Sequence, residues 1–412
     1  MEKPTDHRVE SFRQHLIHFM DDDGLIIDQV NADGPRAFRN EDFEGYSTWD
    51  LYADDFAGFI SYEDSIMVTG RFIHLEVLRH LYSGRKTSLD LAHKAVLALL
   101  ELSEHGDRIE PGYLPKPHSG MSKAGESQGI SIDQYEHALF GLWAFRQFSD
   151  DRKMNDLIDK AILSWADYFI KHDYSYSYFG RMWSTPETSP HLIALYMPLA
   201  AIATTITGSE KYINHAMDRL WNILEENFIE NIESRPDIVP NIANLLVLGL
   251  SYLVRHDIRQ PECSQAVENI INKSLEQLSP EGWAYAFMGV TDKHQVTPGY
   301  RTGPAPLNYK LLNWTSNAKG GKSTKIAQSL VIAAHLLDRR DWLEKARWIE
   351  NKYLRINDFT PYQDPDHTQM PEDYAYLRKT IYNQFIATWL QTWHLLQNTD
   401  LIYLSEGLSV PE

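Results

Sequence analysis

The sequence has a single cysteine, Cys263, so no disulfide can close within the chain and cysteine-rich zinc sites are excluded. It is poor in positive charge: 39 Lys and Arg stand against 57 Asp and Glu, a net charge of -18. No basic cluster relieves that balance, so a nucleic-acid partner is not expected. Long apolar runs are also missing. Leu192 to Ile206 and Ile242 to Val254 fall short of the roughly 18 residues that raise a membrane span, and Pro198 interrupts the first, so no membrane partner is expected. The opening stretch, MEKPTDHRVESF, lacks the basic and apolar regions of a secretory leader, which implies a cytoplasmic location. No Ser- or Gly-rich linker and no charge run divides the chain, so residues 1–412 read as one large domain.

What is present is an alternation of two kinds of helix. Glu63 to Tyr82, Ser131 to Phe148, the stretch from Pro190, Pro240 to Val254, Ser323 to Leu337 and the closing stretch through Phe385 and Trp393 are apolar on nearly every side, as helices buried between other helices are. Each of the first five is followed, after a short break, by a helix with one wet face. The clearest carries Met154, Ile158, Ala161, Ile162, Trp165 and Phe169 at intervals of three and four. The opening helix, near His7 to Phe19, is the natural partner of the closing one. Strand signals are scarce. About twelve helices in six pairs predict an all-α fold in which an inner ring is wrapped by an outer one. Connectors after inner helices are short and those before them long, so every long loop falls on one rim, at the inner helices' N-termini. Functional residues are expected there.

A closed ring of six helical hairpins with long, aromatic loops on one rim resembles the six-hairpin glycosidases, the (α/α)6 toroids of many glycoside hydrolases and several polysaccharide lyases. The resemblance spans nearly the whole chain at the level of architecture. The Arg-Gly-Asn-Gly-Trp signature of the unsaturated glucuronyl hydrolases on this fold is absent. The resemblance implies an enzyme acting on a carbohydrate, and no motif in the sequence calls for a cofactor or a metal.

The rim residues support that reading. Tyr46, Trp49, Tyr113, Tyr174, Tyr176, Trp183, Trp283, Tyr300 and Trp314 offer flat apolar faces with polar handles, suited to pyranose rings. Hydrolysis of a glycosidic bond needs two carboxylates. Asp133, in the first turn of the helix that starts at Ser131, is the first candidate. The helix dipole favours its ionised form and so a role as base, nucleophile or hydroxyl anchor. Glu126 and Glu187 are candidates for the proton donor, and Asp54, Asp55 and Glu63 line the first rim loop and helix start. A lyase acting on a uronate would instead need a Tyr or His as base and an Arg or Asn to neutralise the carboxylate; Tyr135, His137, His118, His191, Arg181, Arg301 and Asn308 are the residues available for those roles. Ser131 and Gln134 have the spacing of a capping box.

Three other motifs do not hold. The stretch Ala318 to Thr324, AKGGKST, resembles a phosphate loop but has Ser316 where the first glycine belongs. Asp21, Asp22, Asp23 and Gly24 lack the spacing of a calcium loop. Cys263 has no recognisable partner. The expected function is a glycoside hydrolase for an oligosaccharide, with Asp133 and Glu126 or Glu187 as carboxylates. The alternatives are a uronate lyase, a sugar epimerase and a non-catalytic helical-repeat interaction protein.

Overall fold

The computed structural model describes residues 6–44, 55–127, 129–178, 181–183, 190–234, 240–276, 278, 285–286, 316–317, 321–360 and 379–411. Helix α1 (His7–His18) opens the chain, capped by the Asp6 carboxylate accepting from the Arg8 backbone N–H at 2.8 Å. Then come strand β1 (Gln29–Asn31), strand β2 (Arg36–Ala37) and the short helix α2 (Phe56–Tyr62). The described residues between Asp21 and Ser61 thus include two short strands and most of a helix. Helices α3 (Ser65–Ser83), α4 (Lys86–Asp107), α5 (Ile132–Phe148) and α6 (Arg152–Lys171) form the next two tight turns of the path. A two-stranded ribbon, β3 (Tyr176–Tyr178) and β4 (Arg181–Trp183), precedes α7 (Ile193–Thr207), α8 (Lys211–Leu224), α9 (Pro240–Arg255) and α10 (Gln260–Leu275). Strands β5 (Tyr285–Ala286) and β6 (Ser316–Asn317) pair with each other before α11 (Lys322–Leu336) and α12 (Arg340–Glu350). Strand β7 (Thr380–Tyr382), α13 (Asn383–Gln397) and the one-turn α14 (Leu401–Leu404) end the chain.

The expected division holds. Helices α3, α5, α7, α9, α11 and α13 are buried on nearly all sides, whereas α6, α8 and α12 bury one stripe each. Successive inner helices pack on one another, and α13 returns to α3, so the ring closes. Helix α1 lies against α13, which makes first and last elements partners. A small antiparallel sheet, in the order β2-β1-β7, joins them: Val30 pairs with Ile381 on one side and Ala37 on the other. The turns after inner helices are short because left-handed residues end them sharply. Gly84 and Gly208 stand at φ +72° and +66° after α3 and α7.

Helices α3 and α5 approach closely. A Cβ on Gly70 would lie 2.3 Å from the His137 carbonyl oxygen, and one on Gly141 would lie 2.4 Å from that of Gly70. Only glycine lets these two backbones meet. The span Pro190–Thr207 has the length and hydropathy of a membrane-crossing helix, more than expected, but it is an inner helix of the ring, largely buried by protein.

Candidate active site

Burial of the inner helices leaves their side chains nowhere to go but the neighbours or the ring axis. Along the axis the side chains form layers. The first turns carry Asp64, Asp133, Asn241, Lys325 and Gln384; the next turn carries Arg71, His137, Asn244, Gln328 and Gln391; beyond it the lining turns mostly apolar, with Phe140, Ala144, Leu248, Ile332 and Leu395. The polar layers thus lie at the N-terminal mouth of the ring, as expected.

Gln384 is the hub of the first layer. Asp28, just before β1, accepts from the Gln384 backbone N–H at 2.7 Å, supplying the start of α13 with a carboxylate. The Gln384 side-chain amide donates to Asp28 Oδ2 at 3.2 Å and to Asp64 Oδ2 at 3.0 Å, and its carbonyl accepts from Lys325 Nζ at 2.9 Å. Lys325 Nζ also donates to Asn241. The other oxygen of Asp64 accepts from Gln134 Nε2 at 3.2 Å. Behind Asp64, Lys116 forms a fully buried ion pair with Glu63.

The capping box is replaced by a different arrangement. Ser131 does precede α5, but its hydroxyl donates to Asp133 Oδ1, which also accepts the Gln134 backbone N–H at 3.0 Å, and the Gln134 side chain reaches Asp64 instead of Ser131. Both bonds to Asp133 fall on Oδ1. Its Oδ2 has no partner among the described residues, and Asp133 keeps some exposure while Asp28, Glu63, Asp64 and Glu136 are buried.

The electrostatics follow from crowding acids into a dry place. Burial, with the Asp64 charge beside it, pushes the Asp133 carboxyl above its ordinary range. Desolvation here outweighs the helix dipole, which alone favours the ionised form. Burial and Asp64 likewise push Asp28 well up, and burial pushes Glu136 well up. Burial, reinforced by Arg71, brings Lys325 down to about 7. Burial works to lower Lys116, but Glu63 and Asp64 outweigh it and raise the ammonium. One layer deeper, Arg71 donates to Gln328 Oε1 at 3.0 Å, Asn244 Oδ1 at 2.8 Å and His137 Nε2 at 3.0 Å. Burial and Arg71 hold His137 well below its usual range, so the imidazole is neutral.

Several expected site residues lie elsewhere. Tyr135 points away from the axis: its hydroxyl donates to the Gly112 carbonyl at 2.8 Å and its ring packs edge-on against Trp165 and Phe169, so it cannot serve as a base. Glu126 is exposed and paired with Lys123 at 3.3 Å, away from the buried acids. Asp55 caps α2, accepting from the Gly58 N–H at 3.0 Å. His118 is buried against the Phe59 ring, 4.6 Å between centroids, with Lys116 beside it. His191 is buried in the turn before α7. Tyr113, Tyr174 and Tyr176 are packed into the core instead of lining the rim. Arg181 and Trp183 lie on β4. Tyr46, Trp49, Asp54, Glu187, Trp283, Tyr300, Arg301, Asn308 and Trp314 fall outside the described residues.

Asp28, Asp64, Lys116, Arg71, Lys325 and Gln384 were missed. One signal was available: Asp64 and Arg71, and Gln384 and Gln391, recur at seven, two turns apart, on otherwise apolar helices, the spacing of one buried face. Among the described residues no group of three or more His, Cys, Asp or Glu is placed to hold a metal ion.

No family model matches this chain, and no curated protein matches it in sequence. Solved structures do match in shape. An unsaturated glucuronyl hydrolase specific for heparin superposes with a TM-score of 0.56 at 12% identity, covering 95% of each chain. An unsaturated glucuronyl hydrolase from Bacillus sp. GL1, responsible for the degradation of glycosaminoglycan, gives 0.51 at 13% identity, again over 95% of each. A possible member of the GH105 family from Salmonella enterica gives 0.50 at 10% identity, over 96% of this chain and 97% of that one. At such identities the likeness speaks for the fold alone: this chain has the all-α (α/α)6 toroid architecture of those structures.

Proposed function

We infer that the protein is a glycoside hydrolase acting on an oligosaccharide, with Asp133 as general acid and Asp64 as its partner. The observation that carries this is the placement of Asp133: a carboxyl raised by burial and by Asp64, its Oδ2 without a partner among the described residues, at the mouth of the ring. A raised carboxyl holds its proton to higher pH than an ordinary one, which suits it to give that proton. In the proposed reaction Asp133 protonates the glycosidic oxygen, the leaving sugar departs as an alcohol, and water adds at the anomeric carbon, its proton passing to Asp64. Asp64 is suited to that task because two glutamine amides fix its orientation.

Two observations count against the uronate lyase. Tyr135 is turned into the wall, and His137 lies beneath the acids, bonded to Arg71. The closed ring disfavours an open-arc interaction protein. Fold neighbours whose names specify unsaturated glucuronyl substrates make uronate-ended oligosaccharides the first members of a substrate panel. Absorbance near 235 nm separates the outcomes. A lyase creates that signal, a hydrolase for unsaturated uronides removes it, and a hydrolase for saturated glycans releases reducing ends without changing it. Asp133→Asn is expected to lower kcat/KM by about 10³-fold or more while leaving Tm near wild type. Full activity in that variant would remove Asp133 from the mechanism, and a rising 235 nm signal would replace hydrolysis with elimination.

A further inference from the structure

The ring axis has a second opening, at the C-terminal ends of the inner helices. There a cavity runs inward from Arg255 and Glu406 to the Arg71 layer. Its walls are mainly apolar, from Phe140, Leu248, Ile332 and Leu395. Asp64 and Asp133 do not line it, so this cavity is separate from the acids at the front.

Its polar groups are of one kind. Arg255 donates through Nε to Glu406 Oε2 at 3.1 Å and through Nη2 to Glu406 Oε1, leaving Nη1 buried with no partner among the described residues. Arg71 spends both terminal nitrogens on the amide layer and leaves Nε buried with no partner. Trp143 lines the same cavity, and its Nε1 is buried and unbonded. All three are donors; leaving a buried donor unmet costs about 1–3 kcal/mol. Among the lining residues the cations are Arg71 and Arg255 and the one anion is Glu406, because burial holds His74 down to about 4 and His137 also neutral. Arg255 is matched by Glu406, and Arg71 is countered from the front layer by Glu136 and Asp133.

We propose that this rear cavity is a second binding site, taking a small carboxylate with an apolar body of single-ring size. The carboxylate accepts from Arg255 Nη1 or Arg71 Nε, Trp143 Nε1 offers a further donor, and the ring or chain rests on Leu248, Ile332 and Leu395. Glu406 sets the mouth: it follows the one-turn α14, is held by Arg255, and is also reached by His256 Nε2 at 3.3 Å. The C-terminal segment is thus one wall of the entrance.

The test is a titration of the full chain with 4-fluorobenzoate followed by ¹⁹F NMR. Saturable binding with a Kd of about 1 mM or tighter is expected, with neutral 4-fluorobenzamide about tenfold weaker because it loses the charge-assisted bond. Leu248→Trp, which fills the cavity, is expected to weaken 4-fluorobenzoate by about tenfold or more. Ala144→Leu is the smaller filling should the first variant fold poorly. Trp143→Phe removes one donor and is expected to cost about threefold to tenfold. Asp133→Asn, confined to the front layer, is expected to leave the Kd within about twofold. The proposal is overturned by a linear, non-saturating response, by equal affinity for the amide, by full affinity in the filled variants, or by loss of binding in Asp133→Asn, which would move the ligand to the front.

Discussion

Helix α3 carries two buried clusters of charge, and they follow opposite rules. At its middle, Arg13 grips Glu76 with two parallel bonds of 2.6 and 3.0 Å, while Arg13 and Arg79 both reach Glu10, at 3.3 and 2.9 Å. Two cations meet two anions, and the group ties α1 to α3 where first and last hairpins meet. At its N-terminus the count does not balance. Asp28, Glu63, Asp64, Asp133 and Glu136 face Lys116, Lys325 and Arg71, and Glu63 Oε2 and Glu136 Oε1 have no hydrogen-bond partner among the described residues. A matched cluster holds helices together; an unmatched one stores a perturbed proton affinity that only a reaction or a ligand makes use of.

The contrast can be broken from the matched side first. Glu76→Gln strands Arg13 in the interior, and chemical denaturation should show a loss of about 3–5 kcal/mol, with turnover per folded molecule unchanged. Asp64→Asn should do the reverse. Its kcat falls by about 10²-fold or more, and its denaturation midpoint stays put or rises, since a buried acid has been removed from a crowd of acids. If Asp64→Asn unfolds the protein as Glu76→Gln does, the front cluster is structural and the distinction fails.

Two finer tests sharpen it. Lys325 lies beside Asp133 and opposes the rise of its carboxyl, so Lys325→Met should lift that carboxyl further. The basic limb of the kcat/KM profile then moves to higher pH, by on the order of half a unit. The smallest effect belongs to Glu136. Its proton affinity is raised in the folded state, so its contribution to stability is present below the ordinary glutamate range and is lost as pH climbs through the folded value. Glu136→Gln should match wild type in Tm near pH 4 and exceed it by a few degrees at pH 8. A gap that widens toward acid would mean that Arg71 holds Glu136 ionised.

The ring was legible because burial leaves a periodic trace: helices wet on one stripe alternate with helices wet nowhere, and connector lengths give the polarity of the path. Asp133 was legible for a similar reason, standing in the first turn of an inner helix. Its proton affinity was not, since the dipole is a local property and desolvation a global one. Asp64 was passed over although it adjoins Glu63, because nothing local shows that Gln384, 320 residues away, will hold it. Tyr135 illustrates the opposite error: proximity in sequence to Asp133 suggested shared chemistry, yet two residues on a helix point about 200° apart. The exposed Glu126 failed because a loop carboxylate gains an altered affinity only if the fold closes over it.

The contact between Gly70 and Gly141 carries one last implication. The two acids proposed for the reaction project from the ends of α3 and α5, the helices those glycines bring together, so the gap between the acids is set like the jaws of a caliper whose pivot lies further down the shaft. A methyl group at either pivot would open the jaws without touching an acid, and would alter the fit to a sugar from two turns below it.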